Sequence, residues 1–369
     1  MANSLKAYLA QAIDPNRLIF ASSGGVFGLL AEYVLDSGGW VVGASLSDSI
    51  TVEHRIARNR AELVPLLKSK YVRSDISKVV ADVKFALAKG LKVLFVGTPC
   101  QIKFIKKSCE GLTGLLTCDL FCHGAPAQEY FIKWISEIER AFNAKVVSYD
   151  WRCKEHGWSP LETKITLEDG RVAYKKMDPY MFAFLNDISI PKSCGKCAFA
   201  RPDREGDFSL GDAWGLVHQW MGEKKNAGLS LLLVNSHIAE EILEKIEGLK
   251  LQEILLSKAL SSQNVLIKGM GVHREHDFFV AEFKKSGSFY HAIQSVIEKE
   301  QKMAGDKIKR LKLSFAGIRL LCICFPFSRS LRIKKKEIKA YINYLKVVKS
   351  FAWSKNNLPI RFNMSTEKE

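Results

Sequence analysis

Two apolar runs, each ending in a cysteine-bearing turn, constrain this chain more than any other feature. Lys92–Val96 reads as a central strand that delivers Gly97-Thr98-Pro99-Cys100-Gln101 to its end. Residues 101–109 read as a helix, and Leu115–Phe121 as the next strand, ending at Cys122-His123-Gly124. Ligands of open α/β sheets sit beyond the carboxyl ends of the strands. Cys100 and Cys122 are therefore expected at one edge of one sheet. A C-x-x-C, Cys194-Gly195-Lys196-Cys197, follows about seventy residues later and is expected to converge on the same place.

The rest of the pattern gives an α/β fold class, a mixed sheet with flanking helices, with α+β as the alternative and a basic helical C-terminal tail. Residues 1–19 read as a short polar lead-in. Ala21-Ser22-Ser23-Gly24-Gly25 reads as a loop opening an amphipathic helix (Phe27, Leu30, Ala31, Val34), and Trp40–Ala44 as a buried strand. A helix start behind such a loop presents free N–H groups that suit a phosphate; an ordinary tight turn is the alternative. Helices are expected over 75–89, 128–142 and 239–246. Strands are expected over 145–151, 163–167 and 229–234, with Asp169-Gly170 as a hairpin turn. Arg152–Trp158 reads as a polar loop, and 286–312 as a long polar helix.

Charge locates the tail. Residues 301–369 hold 17 Lys and Arg against 4 Asp and Glu, a surplus of 13 out of the whole chain's +16. The body is near neutral, so the total charge is no argument for nucleic-acid binding, and none is expected. Ala316–Phe327 followed by Arg329, Arg332 and Lys334–Lys336 reads as a docking helix, or as an apolar and basic segment lying on an anionic membrane surface. No signal-peptide pattern opens the sequence, and no apolar run reaches the ~18 residues of a membrane span. A cytoplasmic or membrane-peripheral protein is expected.

Nine cysteines without an export signal suggest reduced thiols or metal ligands. Cys100, Cys122, Cys194 and Cys197 lie in turns beside Gly or Pro; Cys109, Cys118, Cys153, Cys322 and Cys324 lie in packing patterns. Four thiolates suit a zinc ion or an iron–sulfur cubane. Spacing alone leaves ligation and unrelated free thiols both open. His123 reads as a ligand, an acid–base group or a satisfied turn residue.

Taken in order, several blocks resemble the beta subunit family of the hydrogenases and dehydrogenases that use coenzyme F-420. They are Ser22-Ser23-Gly24-Gly25-x-Phe27, Ser69-Lys70-Tyr71, Gly97-Thr98-Pro99-Cys100-Gln101 and Asp119-Leu-x-Cys122-His123-Gly124-x-Pro126. Arg152-x-Lys154 with Gly157-Trp158, Asp178-Pro179-Tyr180, Cys194-x-x-Cys197-x-Phe199, Arg204-x-x-Asp207 and Gly211-Asp212-x-Trp214-Gly215 follow. The resemblance implies an oxidoreductase or electron-transfer protein with FAD and a 4Fe-4S cluster. Cys100, Cys122, Cys194 and Cys197 would be the cluster ligands. Ser23, Gly24, Gly25, Lys70 and Thr98 would lie around FAD, and His123 would contact the flavin or deliver a proton. The expected division is a core over 1–285, with parts at about 20–95 and 96–285, and a tail over 286–369. Family members often carry a ferredoxin module ahead of the Ser-Ser-Gly-Gly block, and here no cysteine precedes Cys100. An external ferredoxin or electron-donor subunit is therefore an expected partner. The expected substrate is a small or sugar-type molecule, as in surface polysaccharide biosynthesis. The competing reading is a non-catalytic accessory protein of a glycan pathway, stabilised by zinc or a cluster.

Overall fold

Nearly unbroken apolar segments make strands buried on both faces, as parallel sheets require. The computed structural model describes residues 6–222, 225–303 and 363–365. Its strands are β1 (Lys6–Ala12), β2 (Trp40–Leu46), β3 (Val52–Ala57), β4 (Val93–Gly97), β5 (Leu115–Leu120) and β6 (Val146–Cys153). They continue as β7 (Glu162–Leu167), β8 (Val172–Lys176), β9 (Phe208–Asp212), β10 (Ser230–Val234), β11 (Leu249–Ile254) and β12 (Asn363–Ser365). Eight form one mixed sheet in the order β11-β1-β10-β9-β5-β4-β2-β3; the other four form β12-β8-β7-β6. The fold is thus mixed α/β with flanking helices.

Strands β2, β4, β5 and β9 are successive parallel neighbours. Strand β10 runs against β9 and β1 against β10, so β1 shares the sense of the parallel four. Five strand ends therefore point to one edge. Helix Val26–Asp36 covers one face, where Leu30, Ala31 and Val34 join Val41, Leu94 and Leu232. Helices Val80–Ala88 and Pro99–Ser108 cover the other, where Val83, Leu87, Ile102 and Ile105 pack with Val42, Val93 and Phe95. Helix Gln128–Phe142 buries Tyr130, Phe131, Trp134, Ile135 and Ile138 at helical spacing. Phe131 meets Tyr149 and Trp151 of β6 at ring-centroid distances of 5.1 and 4.9 Å.

Two compact units divide the chain, residues 1–274 with 362–369, and residues 275–361. In the second, helix His276–Ser286 ends at Gly287, whose φ of 65° is left-handed, and a new helix starts at 289. The single polar helix expected over 286–312 is therefore broken at its start, because a left-handed glycine cap stops the preceding helix. Residues 304–362 and 366–369, with both readings of the basic tail, lie outside the described residues.

Two other expectations are corrected. Residues 6–12 are an inner strand rather than a polar lead-in, since β1 lies between β10 and β11. Its Lys6, Tyr8 and Gln11 hide an alternation that buries Ala7, Leu9 and Ala10. Arg152 and Cys153 belong to β6, not to a loop; the loop begins at Lys154. Leu9 is fully buried among Leu231, Leu233 and Trp158. Leu9→Ala should lower the unfolding free energy by about 2–5 kcal/mol in chemical denaturation, against under ~0.5 kcal/mol for a surface lead-in.

Candidate functional site

The parallel topology brings the two cysteine turns side by side. Strands β4 and β5 pair from Val93↔Leu115 to Gly97↔Asp119, so the chain leaves β4 at Thr98 level with Leu120, the last residue of β5. Beyond β4, Pro99 opens a helix and the Gln101 side chain accepts from the Thr98 N–H at 2.9 Å. That cap holds Cys100, exposed, in the first turn, with Thr98 Oγ1 3.1 Å from its Sγ. Beyond β5, Phe121 N donates to Leu210 O at 2.8 Å, and Cys122 and His123 follow.

The C-x-x-C reaches this edge in the short helix Lys192–Gly195, where Cys194 N donates to Pro191 O at 2.9 Å. A loop of residues 269–272 lies against its backbone: a Cβ on Gly195 would come within 2.3 Å of Val272 Cγ2, and one on Gly269 within 2.5 Å of Gly195 O. Burial pushes the Cys122 thiol up to about 12, and the charges of Cys100, Cys194 and Cys197 add to the rise. Cys100, Cys194 and Cys197 are thus each within electrostatic reach of Cys122. Cys109 and Cys118 pack in the two cores instead. The side chains do not close a shell: among the described residues no three His, Cys, Asp or Glu are arranged to hold a metal ion.

A buried ion pair fixes these loops. Asp119 is fully buried and its Oδ1 accepts from Arg204 Nη2 at 2.7 Å, while Oδ2 accepts from the Gly206 N–H at 2.9 Å. Arg204 also donates to the carbonyls of Phe199, Arg201 and Leu120. Asp207 accepts from the Thr117 N–H at 2.9 Å and from Ser236 Oγ at 2.9 Å, so the Arg204-x-x-Asp207 block is a clamp on β5.

At the neighbouring strand ends lies the Ser22–Gly25 loop. Gly24 is wedged between β1 and β10: a Cβ there would come within 2.2 Å of Ala10 O and 2.7 Å of Ser230 N. Gly25, at φ 81°, caps helix Val26–Asp36 with no side-chain hydrogen bond, leaving its first-turn N–H groups unprotected by a capping side chain. Arg152, nearly fully buried, donates to Asp212 Oδ2 at 2.8 Å, to Ser22 O at 2.8 Å and to Tyr71 OH at 2.8 Å. Trp158 Nε1 also donates to Ser22 O, Ser69 N donates to Ser22 Oγ, and Ser23 Oγ donates to Leu229 O. Lys154 Nζ donates to Ser23 O and Ala227 O, both at 2.8 Å. Lys68, Lys70, Arg152 and Lys154 face two carboxylates, Asp150 and Asp212. A surplus of positive charge beside a helix start is an anion site in kind.

Lys70 and Lys154 are both lowered to about 7, chiefly by burial. They differ in acceptors. Lys70 Nζ meets the carbonyls of Pro65, Leu67 and Lys68 at 2.7, 2.6 and 3.1 Å. Three acceptors need three N–H donors, which the ammonium has and the amine lacks, so Lys70 staples its own loop. Lys154 has two acceptors and can serve both as a neutral amine.

His123 Nε2 lies 2.7 Å from Asp187 Oδ1, and its ring is 5.0 Å from that of Phe184, which is 4.8 Å from Tyr71. A chain of packed rings therefore runs from the cysteine turns to the Arg152 cluster. The resemblance places Thr98 around FAD; its hydroxyl lies 3.1 Å from Cys100 Sγ and donates to Gln101 Oε1 at 3.0 Å. Arg152, Lys154, Trp158 and Asp212 enter the resemblance as motif pieces without an assigned role. Asp187 carried no sequence signal.

Residues 90–255 match the family model for the C terminus of the coenzyme F420 hydrogenase/dehydrogenase beta subunit. Over these residues, just under half of the chain, the sequence is similar to that beta-subunit family. The family is one of hydrogenase and dehydrogenase subunits, and hence of oxidoreductases. Among solved structures, one similar chain comes from the F420-reducing [NiFe] hydrogenase complex of Methanosarcina barkeri. The TM-score is 0.49 at 17% identity, covering 72% of this chain and 90% of that one. No curated protein matches.

The buried charges of the site generate two predictions. Arg204→Met leaves the Asp119 carboxylate buried and unpaired, and should cost about 3–5 kcal/mol in denaturant unfolding. The double variant with Asp119→Leu should recover part of that loss. For Lys154, the folded state gives up its proton near pH 7 and the unfolded chain near 10.5. Between these values the unfolded state binds more protons, so Lys154 contributes a stability that rises with pH. The stability difference between wild type and Lys154→Met should shift in favour of wild type from pH 7 to 10; a flat difference would mean the ammonium persists.

Proposed function

We propose that the protein is an oxidoreductase or electron-transfer protein that holds FAD in the basic Ser22–Gly25 site and a 4Fe-4S cluster at Cys100, Cys122, Cys194 and Cys197. Four thiols from three separated loops, each within electrostatic reach of Cys122, carry the reading. Thiolate sulfur suits iron, and four such donors match a cubane. The absence of a closed shell leaves the donor chemistry intact; three of the four cysteines are half-buried turn residues whose side chains can rotate.

The fit to FAD rests on the uncapped helix start at Gly25 and on the cation surplus around it. Backbone N–H groups of Val26–Gly28, with Lys154 and Lys68, would hold a pyrophosphate. Arg152 and Trp158 fix the loop through Ser22 O and keep it open to a ligand. Bound FAD would supply the exchange between one-electron and two-electron chemistry. His123, held by Asp187, would orient or protonate the reacting molecule. The substrate would be a small organic or sugar-type molecule, and the resemblance alone points to surface polysaccharide synthesis. Electrons would come from a separate carrier or partner subunit.

Anaerobic purification with a UV–visible spectrum and metal and sulfide assays tests this. Flavin bands with about four irons and four labile sulfides per chain are expected. Cys197→Ala should lose iron and sulfide while Cys109→Ala keeps both. Zinc without flavin, or equal iron in the two variants, would sink the assignment.

A further inference from the structure

Helix Pro99–Ser108 has a patterned outer face. Residues three, four and seven positions apart share one face of a helix. Counted from the exposed Cys100, these are Lys103, Phe104 and Lys107. Lys103 is 61% exposed and Phe104 52%, while Ile102 and Ile105 take the core side. On the adjacent helix Val80–Ala88, Phe85 is 59% exposed and Lys89 lies 5.7 Å from its ring centroid. Phe104 therefore stands half-exposed between two exposed lysines, Lys103 and Lys107, on the face that begins at Cys100.

Charge continues the pattern around the cysteine turns. Lys103, Lys106, Lys107, Lys192, Lys196 and Arg201 stand against Glu110, Asp203 and Glu205. Glu205 is engaged by Arg201 at 2.6 Å, with Lys103 at 3.7 Å, and its carbonyl accepts from Lys106 Nζ at 3.0 Å. The rim keeps a positive surplus next to the exposed thiol. An aromatic centre within a charged rim is how weak, fast redox encounters are built, with charge steering the approach.

We infer that the Lys103–Phe104–Lys107 face of this helix is the docking surface for a small acidic one-electron carrier protein. The inference rests on the redox reading above. At 1.5 Å rise per residue, Lys107 lies about 10 Å along the helix from Cys100, so a carrier seated on the stripe reaches the cysteine turns. Each encounter would pass one electron from the reduced carrier to the group that Cys100, Cys122, Cys194 and Cys197 would hold. The carrier leaves oxidised by one electron, and no bond is made or broken.

The test titrates the full chain with an acidic two-cluster ferredoxin, by calorimetry and by NMR of the ferredoxin, at low and physiological salt. Saturable binding at low salt is expected, weakened at least tenfold by Lys103→Glu with Lys107→Glu and severalfold by Phe104→Ala. A Lys133→Glu with Lys245→Glu variant makes the same net-charge change at exposed positions elsewhere and should bind like wild type. No binding by wild type, or equal losses in the two charge-reversed variants, overturns the docking surface. Flavin, iron and sulfide contents of the same samples separate the two ideas. A chain that binds through Lys103 and Lys107 but lacks cofactors sinks the redox reading; a loaded chain that ignores the ferredoxin sinks the docking surface.

Discussion

One buried carboxylate, Asp119, sets where the cysteine turns can be. It has no exposed surface, and it is bonded by the Arg204 guanidinium and by the N–H groups of Glu205 and Gly206. A buried ion pair seldom adds net stability over a well-packed apolar pair, but breaking it is costly. What Asp119 contributes is position. The guanidinium that satisfies it also binds Leu120 O, two residues before Cys122, and Phe199 O, two residues after Cys197. A β5 end and a loop from seventy residues away are thereby held to one short side chain. Gly206 permits this closeness, since a Cβ there would come within 2.7 Å of Asp119 N.

The same device recurs one strand over. Arg152, from the second sheet, pairs with Asp212 at the end of β9 and reaches Ser22 O. Each arginine spans the gap between a strand end of the main sheet and a loop or strand from outside it. Arginine suits the task because its planar fork gives several donors at fixed angles and stays charged when buried. In both places the charge is balanced by one aspartate, while the lysines around Ser22–Gly25 are held by other groups: Lys68 by Asp150, Lys70 by three carbonyls of its own loop and Lys154 by Ser23 O and Ala227 O.

Much of this was legible in the sequence where chemistry is local. The run Val93–Gly97 is buried at every residue, and its apolar continuity announces a central strand. The Thr98-Pro99-x-Gln101 cap and the Gly25 helix start are signals of a few residues each. What was hidden is long-range. Strand β1 was lost because Lys6, Tyr8 and Gln11 make its composition polar, although their neighbours are buried on the core side. The bond of Asp187 to His123 depends on the path of the helix Pro179–Leu185 before it. The three carbonyls around Lys70, those of Pro65, Leu67 and Lys68, belong to its own loop and leave no mark in the sequence. The pairings of Arg152 with Asp212 and Arg204 with Asp119 join residues 60 and 85 positions apart. No periodicity records such contacts.

The two halves of the site make opposite electrostatic demands. Around Ser22–Gly25, buried cations and a helix start are stabilised by an anion. At Cys122, burial and the neighbouring thiols push ionisation up to about 12, so its thiolate forms at little cost only when a cation displaces the proton. The halves share one sheet edge, and Tyr71, Phe184 and His123 connect them through ring contacts of 4.8 and 5.0 Å. Cys100 alone among the four thiols is exposed. A charge entering at that thiol is already at the surface, and the rings lead inward toward the cationic half. The fold thus separates an outer side suited to a protein partner from an inner side suited to a small molecule.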